Sequence, residues 1–510
     1  MHKKIGVLLL AVVMLLSFTA CGGEDAAAAD ETLTIASSGD AIALDPVATN
    51  DNQSSNVMVQ LYEGLVSLAE DGSTVPNLAE SVEQPDDVTY VFKLKEGVKF
   101  HNGEELKASD VVFSLKRACE APNVRHLFNT IDPETIKAND DYTVEFKLIR
   151  PYTGILAALC HPGGFIVNEK AVTEGGDSYA QNPVGTGAVK FVSWRKADSI
   201  VLERFEDYHG EKTAYKTLTY RIIPEATNRL IELESGGVDV AYDIAPNDLE
   251  KVEGNDKLAL LRSFDYGTTY LGFNTQKAPF DNEKVREAVS YAIDMDAIIK
   301  AVWHGVGRTA SSPMPPTLTY SVADDMQPKT RDIERAKELL KEAGFENGFE
   351  TTISTNDRKQ RIDMATIIKE QLSEVGIDVS INVLEWSAFN DLIKNGQQDM
   401  FEIAWIADSP DPDTFLFPCF HSSAKGEGGN YIYLEDAELD GILEQARELE
   451  DGPERAELYK QAQERIIDIT AWVPQYNGEL LVGTSANIEN LELSPFGWYN
   501  LREVTKSAAQ

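Results

Sequence analysis

Apolar residues recur along this chain in two periods, and the switches between them outline a fold. Ile377, Val379, Ile381 and Val383 alternate strictly with polar residues, which predicts a half-buried strand. Just upstream, Ile362, Ala365, Ile368, Leu372 and Val375 recur at helical spacing and stop at Gly376, a residue suited to ending a helix. A helix at about 386–396 and a strand at 401–406 follow, the strand alternating Phe401, Ile403 and Trp405. This αβαβ order predicts a sheet with helices packed on it. Further helices are expected on Val285, Ala288, Val289, Ala292 and Ile293, and on Ile333, Ala336, Leu339 and Leu340 up to Gly344. Two late helices carry Leu439, Leu443 and Ala446, then Leu458, Ala462 and Ile466.

The first half reads differently. Leu33 and Ile35 mark a short strand, followed by the small-residue loop Ser37-Ser38-Gly39. Asp71-Gly72 signals a hairpin. Phe92 and Leu94 form a strand, Val111, Val112, Leu115 and Ala118 a helix face, and Val144, Phe146 and Leu148 another strand. Residues 51–182 therefore read as an α+β module. From 183 the text turns β-rich, with one helix ending at Gly236-Gly237, and β-like runs return after Pro474.

Length adds that 510 residues exceed one core, so two or more domains are expected. The first twenty residues carry Lys3 and Lys4, a short apolar core and a small-residue approach to Cys21, the pattern of an export signal. The apolar core is short for a membrane span. Residues 21–30 read as a tether. A formal net charge of −38 excludes nucleic acid as a partner and favours an exported, soluble body. Cys119, Cys160 and Cys419 are odd in number once Cys21 is set aside, and none has metal-site spacing. No metal or cofactor is called for. There is no GxSxG elbow, HExxH or phosphate loop, so an enzyme is not expected.

The candidate chemistry lies after the strand 401–406. Ala407-Asp408-Ser409-Pro410-Asp411-Pro412-Asp413 holds three carboxylates and two prolines. By composition this is a surface turn. Placed directly after a core strand and beside Trp405, it could also fix a negative charge in a cleft.

Five segments in order, YEGLVSLAEDGSTVPNLAES, YVFKLKEGVKFHNGEELKASDVVFSLKRA, NPVGTGAVKFVSW, YLGFNTQKAPFDNEKVREAVSYAID and AWIADSPDPDTFL, resemble the solute-binding proteins of bacterial ABC transporters. The likeness is to the dipeptide, oligopeptide and nickel-binding group, extracellular solute-binding family 5. It implies a two-lobe α/β fold of the type II periplasmic-binding kind, with a hinge and a discontinuous lobe I. On this sequence lobe I would be 31–50, 183–270 and 476–510, the module 51–182 an insertion in it, and lobe II 271–475. Residues 1–20 would be the signal peptide, with Cys21 lipidated and the protein tethered to the outer face of the cell membrane.

The resemblance further implies a monomeric receptor that hands ligand to permease and ATPase subunits. Peptide would lie extended between the lobes as an added strand, against Ser38-Gly39 and Trp405-Ile406-Ala407. Its ammonium would meet Asp408, with Asp411 structural or at the rim. Its carboxylate would need a cation. Dipeptide-type members carry an arginine where Thr355 stands here, so Arg358 is the candidate, with Arg361 nearby. Trp386 and Trp405 either line side-chain pockets or belong to the core. A nickel chelate, haem or an oligosaccharide is the alternative ligand class for the same fold.

Overall fold

The computed structural model describes residues 31–69 and 72–507. The signal segment, Cys21, the tether and Asp71 of the expected hairpin lie outside the described residues. No described helix is long and apolar enough to cross a membrane.

Two large sheets organise the chain. The first has seven strands, in the order Leu258–Phe264, Glu479–Ser485, Val240–Ala241, Thr32–Ser37, Thr217–Ile222, Ser199–Arg204 and Val189–Arg195. Thr32–Ser37 is its centre, parallel to both neighbours. Leu33 and Ile35 enter a core with Leu202, Leu218 and Val240, while Ala36 faces a second layer with Leu230 and Leu233. The second sheet has six strands, in the order Arg308–Thr309, Trp472–Asn477, Gly267–Phe273, Met400–Ile406, Phe349–Asn356 and Ile377–Leu384. Its alternation sorts side chains onto two cores. Met400, Ile353 and Leu271 pack under the helices Glu283–Ala292, Ile333–Glu342 and Lys359–Ser373. Phe401 and Ile403 pack on the other side with Phe415, Leu443 and Trp472.

The predicted helix stop at Gly376 has a steric reason. Gly376 has φ +87°, and its carbonyl oxygen lies 1.8 Å from where a Cβ on Gly348 would sit. Two turns meet backbone to backbone there, which admits only glycine at 348.

A four-stranded antiparallel sheet, in the order Ala79–Asp86, Thr89–Leu94, Thr143–Leu148 and Ile131–Asp140, packs with helix Ala108–Glu120 to form the insert. Its limits differ from the expected 51–182. Helix Asn52–Leu61 buries Val57, Met58 and Leu61 in the first lobe, and Val167 and Tyr179 join the same core. The insert's own core runs from Leu65 to Ile166. The lobe boundaries shift as well. Gly267 already pairs with Ile406 in the second sheet, and Tyr476 and Asn477 still pair there with Thr309 and Arg308. The chain thus crosses between lobes at 264–267 and 477–479, where Asp265 N–H donates to the Gly478 carbonyl at 3.1 Å. Hydrogen bonding to the second sheet, invisible in the residue pattern, moves both crossings by a few residues.

Candidate functional site

Strand Met400–Ile406 pairs along its whole length with Gly267–Phe273. On its other side, pairing with Phe349–Asn356 stops at Ser354 and Phe401. The two strands splay beyond that point, leaving an unpaired edge toward the sheet's end. In sheets of this kind ligands collect outside the carboxyl ends of the strands. Ile406 is 59% exposed there. Ala407 turns inward, and its N–H donates to the Tyr266 carbonyl at 3.1 Å.

The three carboxylates of the turn then separate. Asp411 is buried and accepts from Arg455 Nη2 with both oxygens at 2.9 Å. Asp413 is buried and accepts from Arg447 Nη2 at 2.9 Å. Both pairs lie within the second lobe. Asp408 instead faces outward, 38% exposed, and its partner comes from the insert: His126 Nε2 at 3.3 Å. That contact spans a cavity of about 540 Å³ between the insert and the second lobe, lined by His126, Arg150, Tyr152, Trp405, Asp408 and Arg447 among others. Trp405 is fixed edge-in, its indole N–H donating to the Thr414 carbonyl at 3.3 Å.

Phe496 and Trp498, which line a separate cavity with Glu63, Tyr208 and Arg502, stack with centroids 4.4 Å apart and planes 9° from parallel. Phe496 meets Tyr266 of the crossing edge-on, and Trp498 meets His161 edge-on at 5.5 Å. Gly497 between them has φ +80°, and its carbonyl accepts from Asn56 Nδ2 at 3.0 Å. Burial lowers the His161 pKa to about 4, against the opposing pull of the Asp408 charge, so its imidazole is neutral at pH 7. Asp408, His126, His161 and the aromatic pair form one neighbourhood.

Beneath the splayed strands lies a buried polar group. Glu402, Thr355 and Gln475 are fully buried, and Glu402 Oε2, Thr355 Oγ1 and Gln475 Oε1 lack hydrogen-bond partners. Burial raises the Glu402 pKa from 4.5 to about 8, outweighing Gln475 and Arg361. Burial likewise raises Asp413 from 3.8 to about 6 despite its arginine. Both groups hold a proton more tightly folded than unfolded. The stability they contribute is complete below their unfolded values of 3.8 and 4.5 and is lost as pH rises to about 6 for Asp413 and about 8 for Glu402. The unfolding temperature of the second lobe is expected to fall between about pH 4 and pH 8 on their account and to level off above. Glu402→Gln should flatten the upper part of that slope in calorimetry; an unchanged slope would exclude Glu402 as its source.

Comparisons with known proteins identify the family. The profile of the bacterial extracellular solute-binding proteins, family 5 middle region, matches residues 73–427. This chain is a family 5 solute-binding protein. It is 33% identical over 474 residues to heme-binding protein A of Haemophilus influenzae, covering 86% of this chain and 85% of that one. It is 34% identical over 438 residues to the dipeptide-binding protein of Escherichia coli, covering 79% and 81%. Among solved structures, the periplasmic binding protein DppA of Helicobacter pylori in complex with peptide STSA superposes with a TM-score of 0.77 at 29% identity, covering 93% of this chain and 98% of that one. The family 5 chain has the type II periplasmic-binding fold expected from its sequence.

Not every residue singled out in the sequence reaches the cavity. Asp408, Trp405 and Ile406 line it; Ala407 does not. Ser38 and Gly39 stay on the first lobe, where Ser38 Oγ donates to Asp243 Oδ2 at 2.5 Å and accepts from Gln53 Nε2 at 3.3 Å. Trp386 is 45% exposed at the start of helix Trp386–Lys394, outside both the core and this cavity. Arg358 is the exposed N-cap of helix Lys359–Ser373, which turns it outward. Arg361, one turn on, points inward instead: its Nη1 donates to Asn356 Oδ1 at 3.3 Å, and burial together with Arg358 lowers its pKa to about 10. Three residues of this neighbourhood carried no local signal: His126, Arg150 and His161. Phe496 and Trp498 had one in the aromatic-Gly-aromatic spacing.

Proposed function

We propose that this protein is the lipid-anchored receptor of an ABC importer and captures peptides between its lobes by their free amino end. One observation carries this. Asp408 and Asp413 both line the cavity, and of the three carboxylates in the turn only Asp408 lacks an arginine. A ligand ammonium entering there would exchange water for a charge-assisted hydrogen bond in a closing, low-dielectric site. The open edge of strand Met400–Ile406 suits an extended peptide backbone. The peptide-bound Helicobacter pylori structure and the dipeptide-binding relative from Escherichia coli support the same class. Binding of such peptides, read by calorimetry, should vanish on N-acetylation. If acetylated and free peptides bind alike, Asp408 is not an amine anchor. Haem or a nickel chelate binding where peptides do not would move the ligand to another class.

In this geometry His126 stands where the ammonium would go. The pair is half-exposed on both sides, 48% and 38%, so it holds only about 0.2–1 kcal/mol. His126→Ala should therefore raise the affinity for free-amino peptides modestly, by at most about fivefold. A fall in affinity would show instead that His126 touches the ligand.

A further inference from the structure

The cavity that opens from Asp408 holds cations that amine capture leaves unused. Arg150 follows strand Thr143–Leu148 of the insert, is exposed, and lines the cavity. Among the described residues no hydrogen bond or ion pair engages it, in a chain where acids outnumber bases 84 to 46. Its pKa is lowered first by desolvation and then by the Arg447 charge, with Asp413, Tyr152 and Glu448 opposing more weakly. Arg447 lines the same cavity. One of its nitrogens bonds Asp413, and its plane lies 3.6 Å from the Phe417 ring centroid. Its Nε is buried without a partner. Glu427, also on the lining, is bound to Lys394 at 3.0 Å.

Two guanidinium groups thus face one cavity with three carboxylates: Glu427 is held by Lys394, Asp413 engages one nitrogen of Arg447, and Asp408 is the amine anchor, which leaves Arg150 without a carboxylate and an Arg447 N–H unspent. A buried donor without an acceptor is unfavourable, and a guanidinium fork matches a carboxylate. We propose that Arg150 and Arg447 form a carboxylate subsite beside the amine anchor, so that the favoured ligand carries a carboxylate a few bonds from its ammonium. That chemistry has two sources: the side chain of an amino-terminal Asp or Glu, or the α-carboxylate of a γ-linked glutamyl residue. The inference rests on Asp408 as the anchor.

The test is calorimetry on the whole protein with Gln-Ala, Glu-Ala, γ-Glu-Ala and N-acetyl-Glu-Ala. Glu-Ala or γ-Glu-Ala should bind about tenfold or more tighter than Gln-Ala, and the tighter of the two identifies the source. Arg150→Gln, an exposed position, should bring the acidic ligand to within about twofold of Gln-Ala and leave Gln-Ala unchanged. Equal binding of the acidic and neutral peptides overturns the subsite while leaving the amine anchor standing, provided acetylation still abolishes binding. If no free-amino peptide binds, or the acetylated one binds equally, both fall together.

Discussion

Asp408→Asn is expected to weaken binding of a free-amino peptide by about 2–5 kcal/mol, roughly 30-fold to several thousandfold, and to leave an N-acetylated peptide where it was. The change keeps the size and the hydrogen-bonding reach of the side chain and removes its charge. In the free protein the position is open to water and, among the described residues, its side chain's ion pair is with His126, so the fold should be indifferent. In the complex the ammonium would be shut between lobe and insert with no other carboxylate of the turn free to receive it, since Asp411 and Asp413 are held by Arg455 and Arg447. The cost is that of a buried cation left unpaired, which is why it is large. Calorimetric titration of both proteins with one peptide measures it. An unchanged affinity, with both proteins equally folded, would rule out the anchor.

The second large effect is on stability. Arg455 is 1% exposed and ties three segments: Nη2 to Asp411, Nη1 to Asp451 at 2.7 Å, and Nε to the Ala446 carbonyl at 3.1 Å. Its pKa is pushed upward because the acids around it overcome its desolvation. Arg455→Met keeps much of the volume but strands Asp411 as a buried, uncompensated charge. A loss of about 3–5 kcal/mol is expected in the unfolding of the second lobe. Adding Asp411→Asn should recover a good part of it, because the charge that had lost its partner is gone. Two single variants whose effects simply add would show that the pair is not coupled.

Much of the second lobe was legible in the residue pattern. Strict alternation at 377–383 and 401–406 and helical spacing between them follow from one buried face per element, and both signals survive in single sequences. The turn after 406 was legible as a place but not as a division of labour. Asp411 and Asp413 take arginines from 44 and 34 residues downstream respectively, in helices whose spacing says nothing of which charge they meet. His126 and Arg150 reach the cavity only because the insert lies over the second lobe, a contact between elements far apart in the chain. Position along the chain favours Arg358 over Arg361; a helix of 3.6 residues per turn points the two in different directions, and the capping geometry turns Arg358 outward. Helix Asn52–Leu61 was assigned to the insert by sequence continuity, whereas its apolar face covers the first sheet.

The seven-stranded sheet has a consequence for how the chain comes to be made. Strand Glu479–Ser485 sits between Leu258–Phe264 and Val240–Ala241, and is their only shared neighbour. A polypeptide that emerges amino end first presents Thr32–Ser37 early and this closing piece almost last. Until it arrives, Leu258–Phe264 has no strand of this sheet to join, and Val240–Ala241, already paired with Thr32–Ser37, has one open flank. The second lobe, unbroken from Gly267 to Asn477, can assemble in the meantime, since its pairings need no earlier or later part of the chain. The first domain begun is therefore the last completed, and its unfinished edges stay open to wrong partners throughout the interval.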